Sequence, residues 1–181
     1  MKVAILMAVA LFLSSTVLAE VPETVEPAQI PAYRLVRPDV ATAGQPSPEA
    51  LARLGKMGFK TVVNLRTEKE GAAEERPLVE SQGLRYVWVP MTAETFSLAD
   101  VEAVEKVVDD PSAGPILIHC ASSNRVGATW MAIQARKGKS LDAAEAAGRE
   151  AGLHSPQMEA AVRRVLGAPA PPAAVPPPAK P

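Results

Sequence analysis

With a single cysteine, Cys120, the chain has no internal disulfide, and its two histidines, His119 and His154, have no partner at metal-ligand spacing. Neither a metal nor a cofactor is called for. Aromatic residues amount to only 4% of the 181, too few for a base-stacking surface. Charge of one sign is lacking as well: 19 basic residues stand against 20 acidic ones, a formal net charge of -1. No bulk field gathers nucleic acid or an anionic membrane, so any anion site must be local.

Long hydrophobic runs are confined to the N-terminus, MKVAILMAVALFLSSTVLAE. Lys2, the apolar stretch Val3 to Leu13 and the small residues ending at Ala19 read as a secretory signal over 1–19, cleaved after Ala19. Ser14-Ser15-Thr16 interrupts the run before it could span a bilayer, so the cleaved protein is expected to be periplasmic or secreted, without stable membrane insertion. A lone thiol in an oxidising compartment is mild evidence that its sulfur is used, although burial would also protect it.

What is present is ordinary globular material for one domain, with 48% apolar and 22% charged residues. Residues 20–32, acidic and proline-rich, are expected to form an extended lead-in that supplies no core, and 167–181, almost wholly alanine and proline, a solvated disordered tail. Between them, 33–166 should be the folded domain.

Its pattern alternates. Ser47 and Pro48 start a helix predicted to run to Gly58, with Ala50, Leu51, Leu54 and Met57 on one side. Thr61 to Leu65 suits a buried parallel strand, a helical patch follows over Glu74 to Gln82, and Leu84 to Val89 alternates as a half-buried strand. Ser97 and Asp100 have capping-box spacing before Leu98, Val101, Val104 and Val108. Pro115 to Ile118 is a core strand, and helices are expected after Arg125, after Ser140 and from Ser155-Pro156. The fold class is therefore α/β, a mostly parallel central sheet flanked by helices with right-handed crossovers, its binding site at the carboxyl ends of the strands.

Cys120 falls at such an end, in PILIHCASSNRVGATW, just before a helix. The backbone N–H groups of Ala121, Ser122, Ser123 and Asn124 can converge on one point, where the helix N-terminus and the Arg125 guanidinium add positive potential. Donors that hold a tetrahedral oxyanion also favour a thiolate at their rim. The competing reading is a small core cysteine at a strand end. His119, Arg125 and Gly127 in the same strand–loop–helix context favour the reactive one.

HCASSNRVG resembles the active-site signature of the cysteine-dependent tyrosine and dual-specificity phosphatase superfamily, in which His-Cys, five residues and Arg form the phosphate-binding loop. The wider stretches ATAGQPSPEALARLGKMGFKTVVNLRTEKEG, YVWVPM and ILIHCASSNRVGA are similar to the bacterial β-lactamase hydrolase-like phosphatase domains, and to dual-specificity phosphatase domains fused to NAD kinase. The resemblance implies a cysteine-phosphatase-like fold and a phosphorylated small molecule or protein as substrate. It also implies nucleophilic attack by Cys120, a thiophosphoryl intermediate held by Arg125 and the loop amides, and His119 orienting the loop. A general acid is then expected between Val89 and Asp100. Glu94 is preferred because capping already explains Asp100. A charged surface loop explains Glu68 and Glu70, and Arg66 either meets substrate or pairs with one of those acids.

Two departures from that signature stand out. Only four residues separate Cys120 from Arg125, one fewer than usual, with Ser123 where short-loop relatives commonly have glycine. Val126 replaces the Ser or Thr hydroxyl that helps the cysteine leave, so slow turnover is expected unless Ser122 or Ser123 substitutes. The short loop also fits a rhodanese-like sulfurtransferase carrying a Cys120 persulfide, and the missing hydroxyl fits a non-catalytic oxyanion-binding module.

Overall fold

A computed structural model describes residues 20–21 and 30–169. The expected signal peptide, most of the lead-in and nearly all of the tail lie outside the described residues. Five strands form one sheet in the order β1-β2-β5-β3-β4: β1 Arg34–Arg37, β2 Val40–Ala43, β3 Thr61–Asn64, β4 Arg85–Trp88 and β5 Ile116–His119. β2, β5, β3 and β4 are mutually parallel, and only β1 runs antiparallel, on the edge beside β2. All four residues of β2, β3 and β5 are buried, as expected of strands covered on both faces.

Among the described residues six α-helices cover the sheet: α1 Pro48–Leu51, α2 Ala72–Glu80, α3 Leu98–Val108, α4 Asn124–Arg136, α5 Leu141–Glu150 and α6 Pro156–Val165. Successive strand residues point to opposite faces, so Ile116 and Ile118 enter one core with Val101, Val104, Met131 and Ile133, while Leu117 enters a second core with Leu51, Leu54, Phe59 and Val79. Serine starts four of the helices: Ser47, Ser97, Ser140 and Ser155 each accept a backbone N–H of the first turn, and Ser97 with Asp100 forms a reciprocal capping box.

Three expectations need correction. The helix predicted over Ser47 to Gly58 ends at Leu51 and continues as turns. Its ladder is broken by Gln82, whose side-chain oxygen accepts from Gly55 N–H at 3.0 Å while its nitrogen donates to Leu51 C=O at 2.7 Å, the two groups an α-helix would have joined. Leu54 and Met57 still face the core. The lead-in does supply core: Ile30 is 0% exposed, and Val21 packs nearby with its N–H on Pro38 C=O at 2.7 Å. Finally, β1 and β2 lie in RLVRPDVATAG, a stretch whose pattern predicts no strand, because Arg and Asp interrupt its alternation.

Candidate active site

Cys120 immediately follows β5, the middle strand, whose neighbours β2 and β3 fix its position. The loop after it is stitched to the segment following β2: Ser122 bridges Gly44, and Gln45 N–H donates to Ala121 C=O at 3.1 Å. A Cβ on Gly44 would come within 3.1 Å of that same carbonyl, a tight contact that favours glycine there. AGQ in AGQPSPE therefore buttresses the cysteine loop.

Ser123 takes φ +68°, the left-handed conformation that glycine adopts most readily. A non-glycine residue there costs roughly 1–2 kcal/mol. The buried Ser123 hydroxyl offsets part of it by donating to Ala151 C=O at 2.9 Å. Gly152 leaves room for that hydroxyl, since a Cβ there would lie 2.3 Å from it. Ser123 is thus committed to structure, Val126 is buried in the core, and Ser122 is the exposed hydroxyl of the loop. Gly127 serves the packing of α4: a Cβ on it would sit 2.0 Å from Leu153 N and 2.6 Å from Gly148 O.

Asn124 opens α4 and ties the loop to the start of α6. Its side-chain oxygen accepts from His154 N–H at 2.9 Å and Ser155 N–H at 3.1 Å, and its nitrogen donates to the Ser155 hydroxyl at 2.8 Å. His154 is exposed, with its ring against Gly152 C=O.

Arg125 donates to both oxygens of Glu70, at 2.8 and 2.6 Å, and to the carbonyls of Leu65 and Met91 at 3.3 and 3.1 Å. Burial works against its charge but is outweighed by the Glu70 hydrogen bond, by the Cys120 sulfur and by the Glu70 charge, so its pKa is raised. The Arg125 hydrogen bond also pulls Glu70 down to about 2. Glu70 closes a short 3₁₀ turn whose Thr67 it caps. The loop acid set aside in the sequence is therefore the direct partner of Arg125.

His119 points to the opposite face of the sheet. Its Nε2 meets Glu75 at 2.7 Å, and both side chains are buried, at 0% and 1% exposure. Glu75 also receives Gln45 at 2.9 Å and Arg66 at 3.5 Å, so Arg66 pairs with an acid of α2 instead of the loop acids Glu68 and Glu70. Burial opposes the Glu75 charge, yet these partners, His119 foremost, hold its carboxyl below the ordinary value. Asn64 donates to Tyr86 at 2.8 Å, and Tyr86 to Ala72 C=O at 3.0 Å. Burial first, then the Glu75 charge, pushes the Tyr86 phenol up to about 12.

A cleft of about 390 Å³ opens beside Arg125, walled by Glu70, Thr92, Ala93, Asn124, Gln157 and Met158. Cys120 is 0% exposed and does not line it. Glu94 does not line it either: it is fully exposed, and the Thr92 hydroxyl above all draws its carboxyl down, which leaves it ionised at neutral pH. Asp100 is held by Ser97, its Oδ2 accepting from Ser97 N–H at 3.0 Å and the Ser97 hydroxyl at 2.7 Å. Among the described residues no cluster of three metal-ligating side chains occurs, and no helix is long and apolar enough to cross a membrane.

A cysteine behind β5, an arginine at the head of α4 and a left-handed residue between them form one strand–loop–helix turn, and the family described as beta-lactamase hydrolase-like protein, phosphatase-like domain matches residues 32–137. The chain belongs to that family. It is 28% identical to a beta-lactamase hydrolase-like protein of Xylella fastidiosa over 48% of this chain, and spans only 21% of that relative's length. A Shewanella putrefaciens protein of the DUF442 group superposes with TM-score 0.61 at 23% identity, covering 81% of this chain and 96% of that one. The P. aeruginosa protein TpbA, as a cysteine-to-serine variant in complex with pTyr, gives TM-score 0.61 at 21% identity over 81% of this chain and 88% of its own. At such identities the superpositions establish the fold, which is that of the cysteine phosphatases. The match ends just after α4, and α5 and α6 extend the core that Ile116 and Ile118 enter.

Proposed function

We propose that the chain is an exported phosphoric monoester hydrolase of the tyrosine and dual-specificity phosphatase type, working without metal or cofactor. The observation that carries the reading is Arg125, at the end of the loop that Cys120 begins, holding a carboxylate with the paired donors that would hold two phosphoryl oxygens. An arriving phosphoryl group displaces Glu70 from that fork and meets the N–H groups of Ala121 to Asn124. Movement of Arg125 gives access to the buried sulfur. The Cys120 thiolate then attacks phosphorus, an S–P bond forms, and the P–O bond to the leaving group breaks. Water hydrolyses the S–P bond, releasing inorganic phosphate and regenerating thiolate. That TpbA is seen with pTyr supports a phosphorylated substrate here. Residues 1–19 support export to the periplasm or beyond, which N-terminal sequencing of the exported protein would test by cleavage after Ala19.

A second reading, an oxyanion-binding module with little turnover, is favoured by one observation: the sole carboxylate lining the cleft, Glu70, is ionised and bound to Arg125, so no proton donor stands ready. Leaving groups that depart as stable anions need none. The protein is therefore expected to hydrolyse p-nitrophenyl phosphate slowly, with Cys120→Ser inactive and Glu94→Gln within about twofold of wild type, since an exposed carboxylate outside the cleft contributes little to proton transfer. Transfer of sulfur from thiosulfate to cyanide without phosphate release would establish the sulfurtransferase instead. Phosphate binding with neither activity would establish the module.

A further inference from the structure

The charges of the cleft limit what can accompany a phosphoryl group into it. Arg125 is the sole cation among the lining residues, and Glu70 beside it is an anion, so the lining is formally neutral before any ligand arrives. Arg66 is paired with Glu75, and Arg164, hydrogen-bonded to the carbonyls of Ala93 and Phe96 at 3.2 and 3.3 Å, keeps its charge but does not line the cleft. Lys69 is exposed and does not line the cleft. The remaining walls are uncharged, formed by Thr92, Ala93, Ser155, the exposed amide of Gln157 and the flexible thioether of Met158. No aromatic side chain offers a face to a ring.

Resting on the phosphatase reading above, we infer that the substrate is a small phosphomonoester whose single phosphoryl group is its only charge, the rest being an uncharged, hydroxyl-bearing body. One phosphoryl group consumes Arg125 entirely. A second would meet the displaced Glu70 carboxylate with no further cation among the lining residues, and like charges brought together reject a ligand. A volume of about 390 Å³ is at the small end of ligand pockets, which suits a sugar-sized body.

The test is calorimetric titration of the full chain carrying Cys120→Ser, which binds without turning over, with fructose 6-phosphate and fructose 1,6-bisphosphate. The bisphosphate is expected to bind at least about tenfold more weakly, and a second substitution, Gln157→Lys, to bring the two ligands within about threefold by adding a cation to the wall. Equal or tighter binding of the bisphosphate, an unchanged ratio in the Gln157→Lys protein, or no binding of either ligand overturns the inference. Failure of the phosphatase reading is separately visible as absence of Cys120-dependent p-nitrophenyl phosphate hydrolysis by the wild-type chain, which leaves the titration result standing.

Discussion

His119 and Cys120 are adjacent in sequence and face opposite sides of the sheet, and the two sides are built differently. Behind His119 lies a closed polar network of Glu75, Gln45 and Arg66, with its central pair almost completely buried. Around Cys120 lies apolar core, and the one cation lining the cleft, Arg125, has a partner, Glu70, that is 31% exposed. A buried ion pair with several hydrogen bonds is costly to disturb and serves to fix geometry. A partner at the edge of solvent can be exchanged for a ligand. The contrast assigns rigidity to one face and exchange to the other, so substitutions on the first should register in stability and on the second in rate.

The largest expected separation comes from Cys120→Ser, which should lower aryl phosphate hydrolysis by at least about 10³-fold while the urea midpoint barely moves. Glu75→Ala should do the reverse. It strands His119, Gln45 and Arg66 and should cost about 3–5 kcal/mol in urea unfolding, whereas Glu75→Gln, which keeps the shape, should cost clearly less. Equal losses from both Glu75 substitutions would contradict a network role. Arg125→Lys should reduce kcat/KM by about 10²–10³-fold, because an ammonium cannot reproduce the planar fork.

Glu70 sharpens the comparison through pH. Its carboxyl is depressed to about 2, so the stability it contributes is complete above the ordinary glutamate range and is lost as pH falls through that range towards 2. Glu70→Gln should therefore flatten the wild-type decline in Tm between about pH 5 and 2. The smallest effect is expected at Ser123. Replacement by glycine relieves the positive φ but forfeits the hydrogen bond to Ala151, for a net change within about 1 kcal/mol, while Ser123→Ala keeps the strain and loses the bond, so it should be the less stable of the two.

Much of the fold was legible because it is written in local patterns. Serine caps, apolar spacing on α3 and α6, and the β-branched run of β3 each concern residues within a few positions of one another. The short α1 was not legible, because the group that ends it, Gln82, is 27 residues away from Gly55. At the site, the position of Cys120 and Arg125 about a strand–loop–helix turn followed from sequence, as did the unusual conformation required of Ser123. The role of Glu70 did not, since an acid in a charged loop reads as solvated whether or not an arginine waits 55 residues further on. Nor did the placement of Glu94, whose distance from the cleft depends on how the turn after β4 folds over α6.

By itself the sequence determined a mostly parallel α/β domain with a cysteine and an arginine on one strand–loop–helix turn, because backbone preference, capping and side-chain periodicity act over short range. Only the tertiary structure decided the partners of the charges: Glu70 for Arg125, Glu75 for His119 and Arg66. Ion pairing depends on distance and desolvation, which arise when β3, β5 and α2 come together and burial removes competing water.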